Sequence, residues 1–480
     1  MYRWVVHVSL VAIVFLPERP AHADEGKPVT DLFLARYELG RRLKTFEAEW
    51  EKITDPTART RAITRLAEVH PQFLSLQFSA AGRTLDRTIA ALADEATPGR
   101  DAEWVTSLCA APESRFVDGA MRELTVTIRP LYPLTSAVPK NLEIQLWFSD
   151  KQVITAKPEA FPLTMKVPLP PLGEFRGLDR KLYFMAEAGR SVRRVPIGVS
   201  QADKLADRIA ALKAAADGWP ALDTIEKATV RDRTTLLKEL ADGVVPETDV
   251  PGAELLANAE RMLDGKPFYT AERSGQFWMS VPLGGRKTAP IRVFVPKGLD
   301  PKKPAPVVVG LHGAGGSENV FFEAYGAGRA IAECEQRGWI FVATRSGLDF
   351  TSGPPVPAIL DQLATRYPLD SKRVFLIGHS MGAAQVIRLA QNSPGRFAGV
   401  AAIAGGGSVT VPKAVAELPL FVSAGEKDFA LMGARGLNKA LATAGAKRLT
   451  YKEYPSVEHL VIVREALPEI FAGFEKVAAN

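Results

Sequence analysis

The chain has 480 residues, 46% hydrophobic and 24% charged, with a formal net charge of +6. This is ordinary globular composition and enough length for two to four domains of about 100–200 residues; it excludes wholesale disorder, collagen and a long coiled coil. Lys and Arg are scattered, the longest basic runs being pairs such as Arg41–Arg42 and Arg193–Arg194, which excludes a nucleic-acid-binding patch.

Arg3 opens a positive start, Trp4 to Leu16 is uncharged and mostly apolar, and Ala21-His22-Ala23 follows as a small-x-small site. That order predicts a signal peptide over 1–23, cut after Ala23. Its apolar stretch of 13 residues falls short of the roughly 20 that a spanning helix needs, so no stable membrane anchor is expected and the mature chain is secreted or periplasmic. The cysteines are Cys109 and Cys334, too few for a disulfide scaffold and, with so few histidines, for a Cys/His zinc site; they read as two lone buried thiols, with an inter-domain bridge as the alternative in an exported chain.

Residues 24–112 follow a helical period, with Leu32, Leu34, Tyr37, Leu39, Leu43 and Phe46 on one stripe and Ala62, Leu66 and Val69 on the next, and predict a small helical domain without chemistry of its own. Over 118–200 the period changes to two: Leu124, Val126 and Ile128, then Leu142, Ile144, Leu146 and Phe148, alternate with polar partners between Pro-rich turns, as in a small β-sandwich of six or seven strands. Over 201–268 apolar stripes such as Leu205, Ile209 and Leu212 mark a helical connecting region. From 269 to 480, apolar strand runs at Ile291–Val295, Val307–Leu311, Ile340–Thr344, Val374–Ile377, Val400–Ile403, Leu418–Ser423 and Leu449–Tyr454 alternate with helical patterns. This describes an α/β domain, a mostly parallel sheet with helices on both faces, whose active groups sit past the carboxyl ends of strands.

Past the run Val374–Ile377 stands Gly378-His379-Ser380-Met381-Gly382, with a helical pattern after it. Small residues on both sides of a serine let strand turn sharply into helix and push the hydroxyl outward. A serine needs a base, and the base an orienting carboxylate. Cleavage of the leader leaves His70, His312, His379 and His459. His70 belongs to the helical domain, His379 lies inside the turn and points away, and His312 opens a Gly-rich loop, so elimination selects His459, after the last strand. Between serine and histidine, Glu426 and Asp428 follow the strand Leu418–Ser423; Asp428 is the expected acid and Glu426 the reserve. The oxyanion donors are the N–H of Met381 and one from the loop Leu311-His312-Gly313-Ala314-Gly315-Gly316, Ala314 first and Gly315 second. The base should titrate near the unperturbed 6.5 or slightly higher beside Asp428. Only 48 residues separate Ser380 from Asp428, too few for a large lid, so the cleft is expected to be open unless one of the preceding domains covers it.

On the His312-Gly313 loop, the Gly378–Gly382 turn, Asp428 and His459, in this order and each after a strand, residues 269–480 resemble the α/β-hydrolase superfamily. Secreted esterases and prolyl-oligopeptidase-like or dienelactone-hydrolase-like domains are the nearest kinds. The resemblance implies an eight-stranded type of sheet and a Ser-His-Asp triad. Ala383 stands where many peptidases of the group have a third Gly, Glu458 rather than Gly precedes the histidine, and no propeller is present. The expected function is therefore a serine hydrolase of carboxylic esters, small or polymeric, working through an acyl-enzyme with no cofactor and no metal. The alternatives are a prolyl-oligopeptidase-like serine peptidase and an exported binding protein with a non-catalytic hydrolase scaffold.

Overall fold

The computed structural model describes residues 30–92, 98–148, 152–172, 178–346 and 353–479. The leader expected over 1–23 lies outside the described residues.

The helical segment comprises α1 (Thr30–Lys52), α2 (Pro56–Leu66), α3 (Val69–Leu74), α4 (Phe78–Leu92) and α5 (Arg100–Ser107). Asp55 caps α2 by accepting from the N–H groups of Thr57 and Ala58, with Pro56 at the first helical position, where its missing donor costs nothing. Helix gives way to strand at Leu108, ahead of the expected junction near 112–118. The strands are β1 (Leu108–Pro112), β2 (Phe116–Asp118), β3 (Glu123–Pro130), β4 (Glu143–Trp147), β5 (Ile154–Ala156), β6 (Leu163–Pro168), β7 (Asp179–Ala188) and β8 (Ser191–Ala202). They form two sheets, ordered β1-β3-β6 and β2-β8-β7-β4-β5. The alternation read from the sequence does the packing: Leu124, Val126, Ile128, Ile144, Leu146, Leu182 and Phe184 are buried in one core, with polar neighbours on the outer faces. Cys109 and Cys334 are both free and buried.

Helices α6 (Leu205–Gly218), α7 (Ile225–Ala241) and α8 (Gly252–Met262) lead to β9 (Gly275–Pro282), β10 (Thr288–Val295), β11 (Ala305–Leu311), α9 (Val320–Glu323), α10 (Tyr325–Arg337), β12 (Ile340–Thr344), α11 (Val356–Leu363), β13 (Leu369–His379), α12 (Met381–Asn392), β14 (Gly399–Ile403), α13 (Pro412–Val415), β15 (Leu420–Gly425), α14 (Leu431–Thr443), β16 (Leu449–Tyr454) and α15 (Val461–Ala478). The eight-stranded sheet is ordered β16-β15-β14-β13-β11-β12-β10-β9. It is parallel from β16 to β12, and β10 runs antiparallel to both β12 and the edge strand β9. Every residue of β11, β12 and β14 is buried, as strands covered on both faces require. From β11 the chain moves to β12 on one side and then to β13 on the other. The carboxyl ends of β11 and β13, where Leu311 pairs with Gly378, therefore border the crevice at the topological switch point.

The helical segment is not a separate body. Phe46, Trp50, Ile63, Leu66, Phe78 and Leu85 share one core with α10, α15 and one face of the large sheet.

Candidate active site

Four segments past strand ends meet at the crevice: 312–316 after β11, Ser380 after β13, Asp428 after β15 and His459 after β16. Ser380 is held at φ 55° and ψ −113° between strand and helix, a strained conformation for a residue with a Cβ. The flanking glycines make it possible. A Cβ on Gly378 would lie 2.1 Å from the Gly382 carbonyl oxygen, and one on Gly382 would lie 2.1 Å from that of Leu311, both inside any tolerable contact. Ser380 is partly exposed. Met381 opens α12, so its N–H has no intrahelical acceptor. Among the described residues the N–H groups of Ala314 and Gly315 have no backbone acceptor, whereas that of Gly313 donates to the Tyr325 hydroxyl at 3.3 Å. A Cβ on Gly313 would touch that of Ser380 at 3.2 Å, so the 312–316 loop lies directly against the turn.

Asp428 and His459 are joined: Nδ1–H of His459 donates to Oδ1 of Asp428 at 2.8 Å. Glu426, the reserve acid, instead accepts from the Ser456 N–H at 3.3 Å. Ser380 and His459 are not hydrogen-bonded, and Nε2 of His459 is buried with no partner among the described residues. The two are neighbours nonetheless, since His379, next to Ser380, donates its Nε2–H to the His459 carbonyl at 2.9 Å. Catalytic hydrogen bonds are often open without substrate. Glu458, the departure before the histidine, accepts from the N–H groups of Leu460 and Val461 and so caps α15.

Sequence reasoning set His70 aside, and the fold brings it back. Its ring centroid lies 4.5 Å from that of His459 and 4.8 Å from that of Phe429, which itself lies 4.2 Å from His459. With His379 on another side at 4.5 Å, the His459 side chain is 2% exposed. The open cleft suggested by the short Ser380–Asp428 spacing is thus partly covered by the helical segment. Arg36 of α1 donates to the Gly315 carbonyl at 2.9 Å, and Phe73 of α3 packs where a Gly315 Cβ would be. Beside the site is a cavity of about 740 Å³, lined by residues of α1 and by His70, Phe73, Ala314, Gly315, His379 and Leu460. No local sequence signal links α1 and α3 to this crevice; only their buried stripe hinted at a partner surface.

The electrostatics of His459 differ from the expected titration. Burial pushes His459 down to about 3 rather than leaving it near 6.5, because the surrounding rings remove the water that would stabilise an imidazolium. Burial also lowers His70 to about 3, helped by His459, and pushes His379 well below its usual value. It pushes the Asp428 carboxyl up from its ordinary value.

Residues 306–433 match the family model described as alpha/beta hydrolase fold. None of the curated proteins matches. Among solved structures, a fluorophosphonate-binding serine hydrolase F of Staphylococcus aureus is 14% identical, covering 42% of this chain and 98% of its own, with a TM-score of 0.37. A thermostable esterase is 16% identical, covering 78% and 99%, with a TM-score of 0.39. An S-formylglutathione hydrolase of Agrobacterium tumefaciens is 17% identical, covering 43% and 97%, with a TM-score of 0.34.

Proposed function

We propose that this chain, whose C-terminal domain is of the α/β-hydrolase superfamily, is a serine hydrolase of carboxylic esters. The observation that carries the reading is the strained Ser380 at the head of α12 in the same crevice as the 2.8 Å Asp428–His459 pair. Ser380 Oγ attacks the ester carbonyl and its proton passes to Nε2 of His459, which is free to receive it. Asp428 holds the ring by Nδ1 and stabilises its charge. The carbonyl oxygen becomes an oxyanion facing the N–H groups of Met381 and Ala314, with Gly315 as second choice for the latter. The C–O bond to the alcohol then breaks, the leaving oxygen takes the proton from His459, and water repeats the sequence to free the acid and restore Ser380. No step calls for a cofactor or metal. A cleaved leader ending at Ala23 would put the enzyme outside the cytoplasm, which N-terminal sequencing of the exported protein would check.

The full chain should hydrolyse p-nitrophenyl acyl esters and leave peptide anilides intact. Anilide cleavage at a comparable rate would replace this reading by the peptidase one. Absence of both activities, with no fluorophosphonate adduct, would leave the binding-protein reading.

The pH dependence is a second expected outcome. The neutral imidazole is the active form, and burial holds His459 near 3, so kcat/KM should stay level from pH 8 down to about 5. A limb near pH 6.5 that persists in Glu458→Gln would contradict a desolvated base; the control is needed because burial raises Glu458 to about 7. The same groups act on stability with a fixed sign. Below about 6.5 the unfolded chain protonates His70, His379 and His459 while the folded chain keeps them neutral. Their contribution is therefore full above that pH and declines as pH falls toward 3, which thermal melts across pH would record.

A further inference from the structure

We propose that Tyr325 is a positioning residue whose hydroxyl ties the 312–316 loop to the Ser380 turn and, through His379, to the backbone of His459. This rests on the ester-hydrolase reading above. A carbonyl only accepts, so Nε2 of His379 must donate to the His459 carbonyl at 2.9 Å. In the neutral ring its Nδ1 is then an acceptor, and the Tyr325 O–H donates to it at 2.6 Å. That leaves the phenolic oxygen to accept from the Gly313 N–H at 3.3 Å. Tyr325 and His379 are both buried, and low surrounding polarity strengthens such a chain of hydrogen bonds. Three loops from three strand ends are thereby held in one register, and the Gly313 N–H is satisfied, leaving those of Ala314 and Gly315 to face the substrate.

The backbone of Tyr325 indicates that the arrangement is imposed. Tyr325, Gly326, Ala327 and Gly328 all have positive φ, at 42°, 75°, 52° and 86°, where α10 would otherwise begin as an ordinary helix. Non-glycine residues stay in that region only when their surroundings over-determine them. The support comes from the helical segment: the carboxylate of Glu47 in α1, itself buried, accepts from the Ala327 N–H at 2.9 Å. The helical segment thus braces the site from two directions, through Arg36 on Gly315 and through Glu47 on the turn that presents Tyr325.

Tyr325 also packs edge-on against Phe321, so a merely structural role must be separated from a positioning one. Tyr325→Phe keeps the ring and removes only the hydroxyl. With kcat expressed per site titrated by prolonged fluorophosphonate labelling, the variant should turn over an activated ester about 10- to 100-fold more slowly, less than the loss of a direct oxyanion donor, with KM within about 3-fold. The fluorophosphonate labelling rate should fall by a similar factor. His379→Gln retains a donor toward residue 459 but removes the ring Nδ1 on which Tyr325 donates, and the double variant should cost little more than the worse single one. Unchanged kcat per titrated site, a change confined to KM, or full additivity of the pair would overturn the proposal. Should Tyr325→Phe not fold, His379→Gln decides by the same per-site kcat. A wild-type chain that neither labels nor hydrolyses esters would instead overturn the reading beneath it.

Discussion

Ser380→Ala is expected to lower ester turnover by about 10⁴- to 10⁶-fold and to abolish fluorophosphonate labelling, with a melting temperature within about 2 °C of the wild type. The size of the effect follows from the proposed chemistry: without Oγ no acyl-enzyme forms, and only binding and oxyanion stabilisation of a direct water attack are left. The small effect on stability follows from the structure. The hydroxyl makes no hydrogen bond to His459, the site is partly exposed, and alanine endures the positive φ of the turn no worse than serine does. Steady-state kinetics with labelling and a thermal melt would check both halves. Residual turnover of more than a few per cent would sink Ser380 as nucleophile, and a large drop in melting temperature would show that lost activity reflects lost fold.

The second large effect is expected at Asp428. Asp428→Asn should reduce kcat by about 10⁴-fold at neutral pH. Its Oδ1 accepts from Nδ1–H of His459 and so selects the tautomer with Nε2 free as base. An asparagine can turn its NH₂ toward the ring, select the opposite tautomer and leave a protonated Nε2 facing the serine. The fold should survive, since the change removes a buried charge whose carboxyl burial already pushes up. Glu426→Gln is the internal control: that side chain accepts from the Ser456 N–H rather than from His459, and activity should be little changed. Equal losses at both positions would show that the loop, rather than the 428 carboxylate, is what matters.

The short interval between Ser380 and Asp428 leaves no insertion to build a cap, and the chain covers the site from elsewhere. His70 and Phe73, on an α3 helix of six residues, come from about 390 residues before His459. They form one side of the pocket around the base and brace Gly315. Phe429, which is 60% exposed, lies against both His70 and His459. Changes in α3 are accordingly expected to act on catalysis as well as on folding.

Much of the architecture was legible in the chain because periodicity reports which face is buried. Runs such as Val307–Leu311 and Val400–Ile403 could only be doubly covered strands, and alternation over 118–200 could only be a half-buried sheet. The strand β9 carries no such run because Gly275–Pro282 lies at the sheet edge, where partial exposure weakens the apolar signal. Gly378–Gly382 was legible because backbone close approach leaves glycine as its mark, and His459 and Asp428 followed from order along the chain. What the linear order could not express is anything that depends on which distant surfaces touch. The ring of His70 on His459, the Glu47 carboxylate under the left-handed turn, the Tyr325 hydroxyl between Gly313 and His379, and the downward shift of the base all arise from packing between segments hundreds of residues apart. Local patterns record the environment of a residue's own strand or helix; desolvation and hydrogen-bond partners across the crevice are set by the assembled core, and only there do they acquire values.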